Sequence, residues 1–276
     1  MSVPNFPDTA AWLQFLQGRS LPVLRHTARA LQALDQDRDK ADARSVARVV
    51  LQDPLLALRV LAYLESRRPG TSAGGVATIG RAVVMLGVDT FFARACADLQ
   101  EVERLLAGRP RALLGMLQVV ARARRAAHFA REIAVLRHDA AGVDEITVAA
   151  LLHECAEILA WIYTPDAASA VADRTAREPG LRSGSAQVAE FGYSYHDLQC
   201  TLARAGYLPA LLAQLMDAAE LGQPRVRNVF CAINLARHRA HGAEDPALAD
   251  DYAEICDLVH LARDQVMARL RLDAPA

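Results

Sequence analysis

AALLHECAEILA, residues 149–160, sets the reading of the whole chain. His153 and Glu154 stand side by side within an apolar run whose spacing is helical. The run extends back to Asp144, an acidic helix start, and forward to Pro165, which cannot continue a helix. The pattern therefore predicts one long helix with a polar doublet at its centre. The doublet is either a metal site, the remnant of one, or two polar residues at the edge of a core.

Working outward, nearly every segment repeats that period, and runs of alternating Val, Ile, Thr and Tyr are missing. The expectation is an all-α fold. Helix starts are legible at Asp8, Pro22, Asp42, Pro54, Thr78 and Asp89. The helix from Asp89 is expected to run through Leu106 and to close at Gly108 and Pro110. A long helix follows over 111–136. Loops are expected at 67–77, which holds three glycines and a proline, and around Pro179 and Gly180. After Gly192 come two helices, SYHDLQCTLARA and LPALLAQLMDAAE. One further helix starts at Pro224, and a last pair spans about 250–270. The best hinge is near 107–111, so the chain is divided as 1–108, 109–222 and a C-terminal helical extension, 223–276. No fixed-period repeat is visible, which argues against a solenoid.

The 276 residues are 53% hydrophobic and 23% charged, ample for a packed core, with a net charge of −1. That balance supplies no overall drive toward nucleic acid or an anionic membrane. The basic residues are nearly all arginine, with one lysine, Lys40. No apolar stretch reaches ~18 residues without a charge, so no membrane span is expected. The start, MSVPNFPDTAAW, lacks the basic and apolar regions of a signal peptide. The five cysteines are scattered, odd in number and never in CxxC spacing, as for reduced, buried thiols of a cytoplasmic protein.

Several stretches together resemble a known family. They are LPVLRHTARALQAL with its leading Leu21-Pro22, SVARVVLQDPLLALRVLAYLES with Asp53-Pro54-Leu55, and TIGRAVVMLGVDTF with an isoleucine helix from Ile79 to Gly87. Further on, AALLHECAEILA stands where the family has Leu-Leu-His-Asp-Ile-Gly. FGYSYHDLQCTLARAGYLP, ending at Leu208-Pro209, stands where it has Phe-Gly, a polar turn and a helix ending in Trp-Gly-Leu-Pro. This order is similar to the HDOD domain of bacterial signalling proteins, over about 21–220. The resemblance implies a compact multi-helix HD-like fold, with the front half from about residue 21 packed on an HD-like helical half. It also implies a regulatory rather than catalytic role. The related HD phosphohydrolases hold a divalent metal with a His, a His-Asp pair and a later Asp.

Carried over residue by residue, that ligand set is incomplete. His153 keeps its place, but Glu154 stands for the aspartate. Its extra methylene moves the carboxylate by about a bond length, which octahedral Mg or Mn tolerates poorly. Neighbouring residues of one helix also point ~100° apart. The family's first histidine aligns with Arg122, and arginine is never a metal ligand. His128, six residues on, lies on another face. Tyr195 replaces a histidine, Gly206 replaces the tryptophan, and Ala219-Glu220 replace a His-rich end. Glu157 stands where a zinc-protease helix would need its second histidine, so that motif is ruled out. A His153–Glu157 pair fits an ordinary hydrogen bond or ion pair better than a cation. A catalytic centre, a weak non-catalytic ion and a hydrogen-bonded histidine between helices all remain readings of His153, and the donor count favours the last.

Two other polar clusters stand out. Arg124, His128 and Arg131 share one helix face and could bind an anion or acidic partner, or form a solvated face with ion pairs. No aromatics interleave them, so nucleic-acid binding is not expected. His196-Asp197 follows Ser194 at a helix start, where Asp197 fits a capping box. No nucleophile elbow and no phosphate-binding glycine loop is present. The sequence reading is thus a non-catalytic regulatory module with a degenerate site at His153, Glu154, Arg122 and Glu157 and no cofactor. The resemblance implies signalling partners, such as response-regulator or cyclic-dinucleotide-related proteins, bound through the front-half helices, the 67–77 loop and the groove near Arg122 and His153. The competing class is a metal-dependent phosphohydrolase acting on a nucleotide or phosphoester.

Overall fold

A computed structural model describes residues 6–37, 41–67, 78–178 and 180–272. Most of the expected 67–77 loop, together with Lys40 and Pro179, lies outside the described residues. The front of the chain carries α1 (Thr9–Leu16), α2 (Arg25–Gln36), α3 (Ala43–Val50), α4 (Pro54–Arg67), α5 (Ile79–Leu86), the short turn α6 (Val88–Thr90) and α7 (Val102–Leu105). Then come α8 (Pro110–Leu136), α9 (Val143–Leu152), α10 (Cys155–Tyr163), α11 (Pro165–Arg177), α12 (Ser183–Phe191) and α13 (Tyr195–Arg204). Last are α14 (Ala210–Leu215), α15 (Pro224–His241), α16 (Leu248–Val259) and α17 (Arg263–Arg269). The fold is all-α. Among the described residues no strand forms, and extended pairing is limited to an isolated parallel bridge between Val23 and Glu101.

The chain packs as two units, each built from two separate stretches. One holds 1–120 and 154–209, and the other 121–153 and 210–276.

In the first unit, α3 and α4 pack on α5, α10 on α11 and α13, and α11 on α12. Its core includes Trp12, Leu24, Leu31, Leu55, Leu58, Leu61, Phe91 and Met116, all nearly sealed from water. Two buried charges organise this apolar interior. Asp53 ends the α3–α4 turn, and its carboxylate accepts the backbone N–H of Leu24 (2.8 Å), Leu55 (2.9 Å) and Leu56 (3.3 Å). It thus caps α4 and pins the start of α2 at once, satisfying donors that would otherwise be orphaned. Burial pushes its carboxyl above the ordinary value, and these bonds pull back.

Arg59 is the second. Its guanidinium donates to the carbonyls of Leu21 (2.9 Å), Ala95 (2.8 Å) and Ala97. Those acceptors explain a departure from the expected Asp89–Leu106 helix. The chain instead makes α6, a π-turn over Phe91–Ala95, then a non-helical stretch before α7. Arg59 takes the carbonyls of Ala95 and Ala97 that a continuing helix would use, Asp98 turns left-handed at φ 51, and the chain returns to pair with Val23. A second departure is at Pro22, where helix α2 begins only at Arg25, after the Val23 bridge.

The aromatic residues of α1 seal another face of this unit. Phe6 stacks on Trp12 at 4.0 Å, and Phe15 meets Tyr163 edge-on at 5.0 Å. Trp12 Nε1 donates to the Tyr193 hydroxyl at 2.5 Å. Where α8 crosses α10, Gly115 lies directly against Trp161, leaving no room for a side chain.

In the second unit, α15 packs on α9 and α16, and α17 on α16. Asp139 receives a two-pronged ion pair from Arg225, at 2.8 Å to each oxygen, and Arg269 pairs with Glu132 at 2.7 Å. The stretch Val143–Tyr163 is apolar enough by composition to cross a membrane, yet 78% of its most apolar window is buried, as in a core helix.

Candidate functional site

The predicted single helix through AALLHECAEILA is two helices. Helix α9 ends at Leu152 and α10 begins at Cys155, with His153 and Glu154 forming the turn between them. His153 keeps helical angles, φ −57 and ψ −31, whereas Glu154 swings to φ −104 and ψ 17 and caps α10. The ~100° offset between neighbours on a continuous helix therefore does not apply to the pair.

The candidate residues are distributed over both units. Arg122 and His153 belong to the second. Arg122 is half-buried on α8. His153 is also half-buried, its Nδ1 is out of solvent, and its ring meets Phe230 of α15 edge-on at 5.4 Å. That aromatic wall suits a packed imidazole. Glu154 and Glu157 belong to the first unit. Glu154 is buried and Glu157 half-buried.

Tyr195, at a family histidine position, starts α13 in the same unit as Glu157. Burial, reinforced by the nearby Glu157 carboxylate, pushes its phenol far above the ordinary range. In the same unit, the Cys155 thiol donates to Gln199 Oε1 at 2.9 Å and is pushed up to about 12 by burial. Glu220, at the His-rich end of the family pattern, sits in a 3₁₀ turn and accepts from Gln223 Nε2 at 2.6 Å. Among the described residues no group of three or more His, Cys, Asp or Glu is placed to hold a metal ion. Arginine and tyrosine stand at the two positions, 122 and 195, where the resemblance would put imidazoles.

The basic face of α8 is open. His128 and Arg131 are exposed and Arg124 is half-buried. Arg131 reaches Asp144 at 3.7 Å with both side chains largely in water, a contact of small energetic weight. Glu132, the one acid among these arginines, is taken by Arg269. At His196-Asp197 the expected capping box is present: Ser194 Oγ accepts from the Asp197 N–H at 3.1 Å, and the Asp197 carboxylate accepts from the Ser194 N–H at 2.8 Å. The sequence offered Asp53 only within the Asp53-Pro54-Leu55 resemblance, and the buried hydrogen-bonding roles of Asp53 and Arg59 were not read from it. Their signals were an aspartate just before a helix-starting proline and a lone arginine inside LLALRVLA.

The comparisons with known proteins agree with this architecture. The HDOD domain profile matches residues 21–220. The fold is similar to that of the MmoQ response regulator from Methylococcus capsulatus str. Bath, with a TM-score of 0.67 and 20% identity over 92% of this chain and 98% of that one. It is equally similar to a virulence factor (cj0248) from Campylobacter jejuni subsp. jejuni, with a TM-score of 0.68 and 16% identity over 98% of this chain and 99% of that one. No curated protein matches the sequence. With the family profile spanning most of its length and the all-α fold shared, this chain belongs to the HDOD domain family.

Proposed function

We propose that this protein is a non-catalytic HDOD regulatory module that acts by binding another protein of a signalling pathway. The observation that carries the reading is the donor set: Arg122 and Tyr195 occupy positions that metal chemistry would give to histidines, and no three-donor group exists among the described residues. A similar fold in a protein named as a response regulator supports the signalling context. The candidate contact surfaces are the α8 face with Arg124, His128 and Arg131 and the front helices α2 to α5.

The competing phosphohydrolase reading requires stoichiometric metal and turnover. Protein purified without chelator is assayed for bound metal and for hydrolysis of bis-p-nitrophenyl phosphate and cyclic dinucleotides in Mn and Mg. The module reading expects substoichiometric metal and rates equal in wild type and His153→Ala. Stoichiometric metal with turnover lost in that variant would refute it. In-cell cross-linking of the tagged chain is expected to recover a signalling protein, with the yield reduced by Arg131→Glu.

A further inference from the structure

Helix α5 buries Ile79, Ala82 and Val83, and on its other side Arg81, Val84 and Met85 recur at helical spacing. Val84 is 67% exposed and Met85 42%. The two are adjacent, unlike the scattered apolar side chains found on any surface. Helix α3 packs on α5, buries Val46, Ala47 and Val50, and exposes Arg44 and Arg48 one turn apart. We infer that this α3–α5 face is a docking surface for an acidic amphipathic helix of a partner protein. Apolar side chains of that helix seat on Val84 and Met85, and its carboxylates meet Arg48 and Arg81. The inference rests on the protein-binding reading above and adds the chemistry of the partner.

Charge decides the kind of partner. Arg48 and Arg81 are exposed, and among the described residues neither forms an ion pair. Arg44 faces an acid of its own, Asp42, whose carboxylate also accepts the Ser45 N–H at 2.7 Å. Asp89 lies past the turn at Gly87, where α5 ends. Two cations thus flank the apolar pair without a neutralising partner, an arrangement that steers and orients an acidic segment. Met85 adds a flexible thioether that moulds to an incoming side chain.

Gly80 is a second, independent mark. It is exposed in the first turn of α5, its φ is not among the positive ones, and an added Cβ would meet nothing within 4 Å. Neither backbone geometry nor packing within the chain calls for glycine there, and alanine would favour the helix. The missing side chain lets a second backbone come close to α5 beside the apolar pair. Other occupants match the face less well. A second copy meeting it across a two-fold axis would bring its arginines together. Nucleic acid is held by basic groups interleaved with aromatics, and here the exposed apolar residues are Val84 and Met85. A membrane-surface helix buries a broad face of Trp, Phe and Leu, which α5 lacks.

In-cell photocross-linking of the full chain tests it, with p-benzoylphenylalanine in place of Met85 and, as a control, in place of Val188 on α12, which is 49% exposed. Adducts are mapped by mass spectrometry to the partner segment. The expected segment has more Asp and Glu than Lys and Arg, with Leu, Ile, Phe or Met three or four residues apart. Its yield is expected to fall about tenfold when Arg48→Glu and Arg81→Glu are combined, and by a similar factor in Gly80→Leu. Circular dichroism melts check that each variant folds, and if Gly80→Leu does not, the charge reversals carry the test. The inference is overturned by no adduct from Met85, by the same adduct from Val188, or by a yield indifferent to the charge reversals. An adduct on a basic segment, a nucleic acid, a lipid or another copy of this chain overturns it equally. A signalling protein captured from Arg131 on α8 but not from Met85 would remove this surface alone and leave the module reading standing.

Discussion

Replacing Gly115 with alanine gives a test in which two effects of opposite sign compete. In an open helix interior, Gly→Ala stabilises by roughly 0.5–1 kcal/mol, because glycine loses more backbone freedom on folding. At Gly115 an added Cβ would lie 2.7 Å from two atoms of the Trp161 indole and 2.8 Å from a third. Ordinary carbon contacts begin near ~3.5 Å, so the ring must retreat by about 0.8 Å. Trp161 is 6% exposed and its ring is rigid, so the movement has to be shared with α10. Overpacking of this kind costs about 1–3 kcal/mol, which exceeds the backbone gain. The net expectation is a loss of about 1–2 kcal/mol, or roughly 2–6 °C in thermal midpoint for a chain of this size. Chemical denaturation followed by tryptophan fluorescence reads it. Gly184→Ala on α12, where an added Cβ meets nothing within 4 Å, is the control and should be neutral or slightly stabilising. A Gly115→Ala protein as stable as the wild type would refute the packing assigned to α8 and α10.

Other expectations follow from the buried charges and thiols. Asp53→Ala strips three backbone amides of their acceptor and should cost about 3–4 kcal/mol in denaturant unfolding, and a loss under ~1 kcal/mol would contradict its capping role. Arg225 holds the Asp139 carboxyl below the ordinary range, so that pair stabilises the fold above the unfolded carboxylate value and is lost as pH falls through the depressed one. The stability gap between wild type and Arg225→Gln should therefore close in acid, and a gap unchanged to pH 2 would argue against it. Burial pushes the Cys96, Cys155 and Cys231 thiols up to about 12, so native alkylation at pH 8 should modify the half-buried Cys200 and Cys256 first, as peptide mapping would read.

Much of the fold was legible because its signals are local. Asp8, Asp42 and Thr78 cap the helices they were read to cap, with bonds of 2.9, 2.7 and 3.3 Å. Gly87 ends α5 at φ 75, and the Ser194–Asp197 box forms as its spacing requires. What escaped is set by contacts distant in sequence. The π-turn at Phe91–Ala95 answers to Arg59, more than thirty residues earlier. The turn at His153-Glu154 contains neither glycine nor proline, and the apolar period runs through it unbroken, so no local cue marks it. At the candidate site, residue type alone shows arginine at 122 and tyrosine at 195, where the resemblance implies histidines. The Phe230 wall against His153 and the raised Tyr195 phenol needed the fold.

In the proposed function, the side chains around His153 do not grip a divalent cation. Isothermal titration of metal-free protein with Mn tests it most directly, with His153→Ala alongside. No saturable site, and identical traces for the two proteins, are expected. A single site of micromolar affinity in the wild type that vanishes in His153→Ala would contradict it.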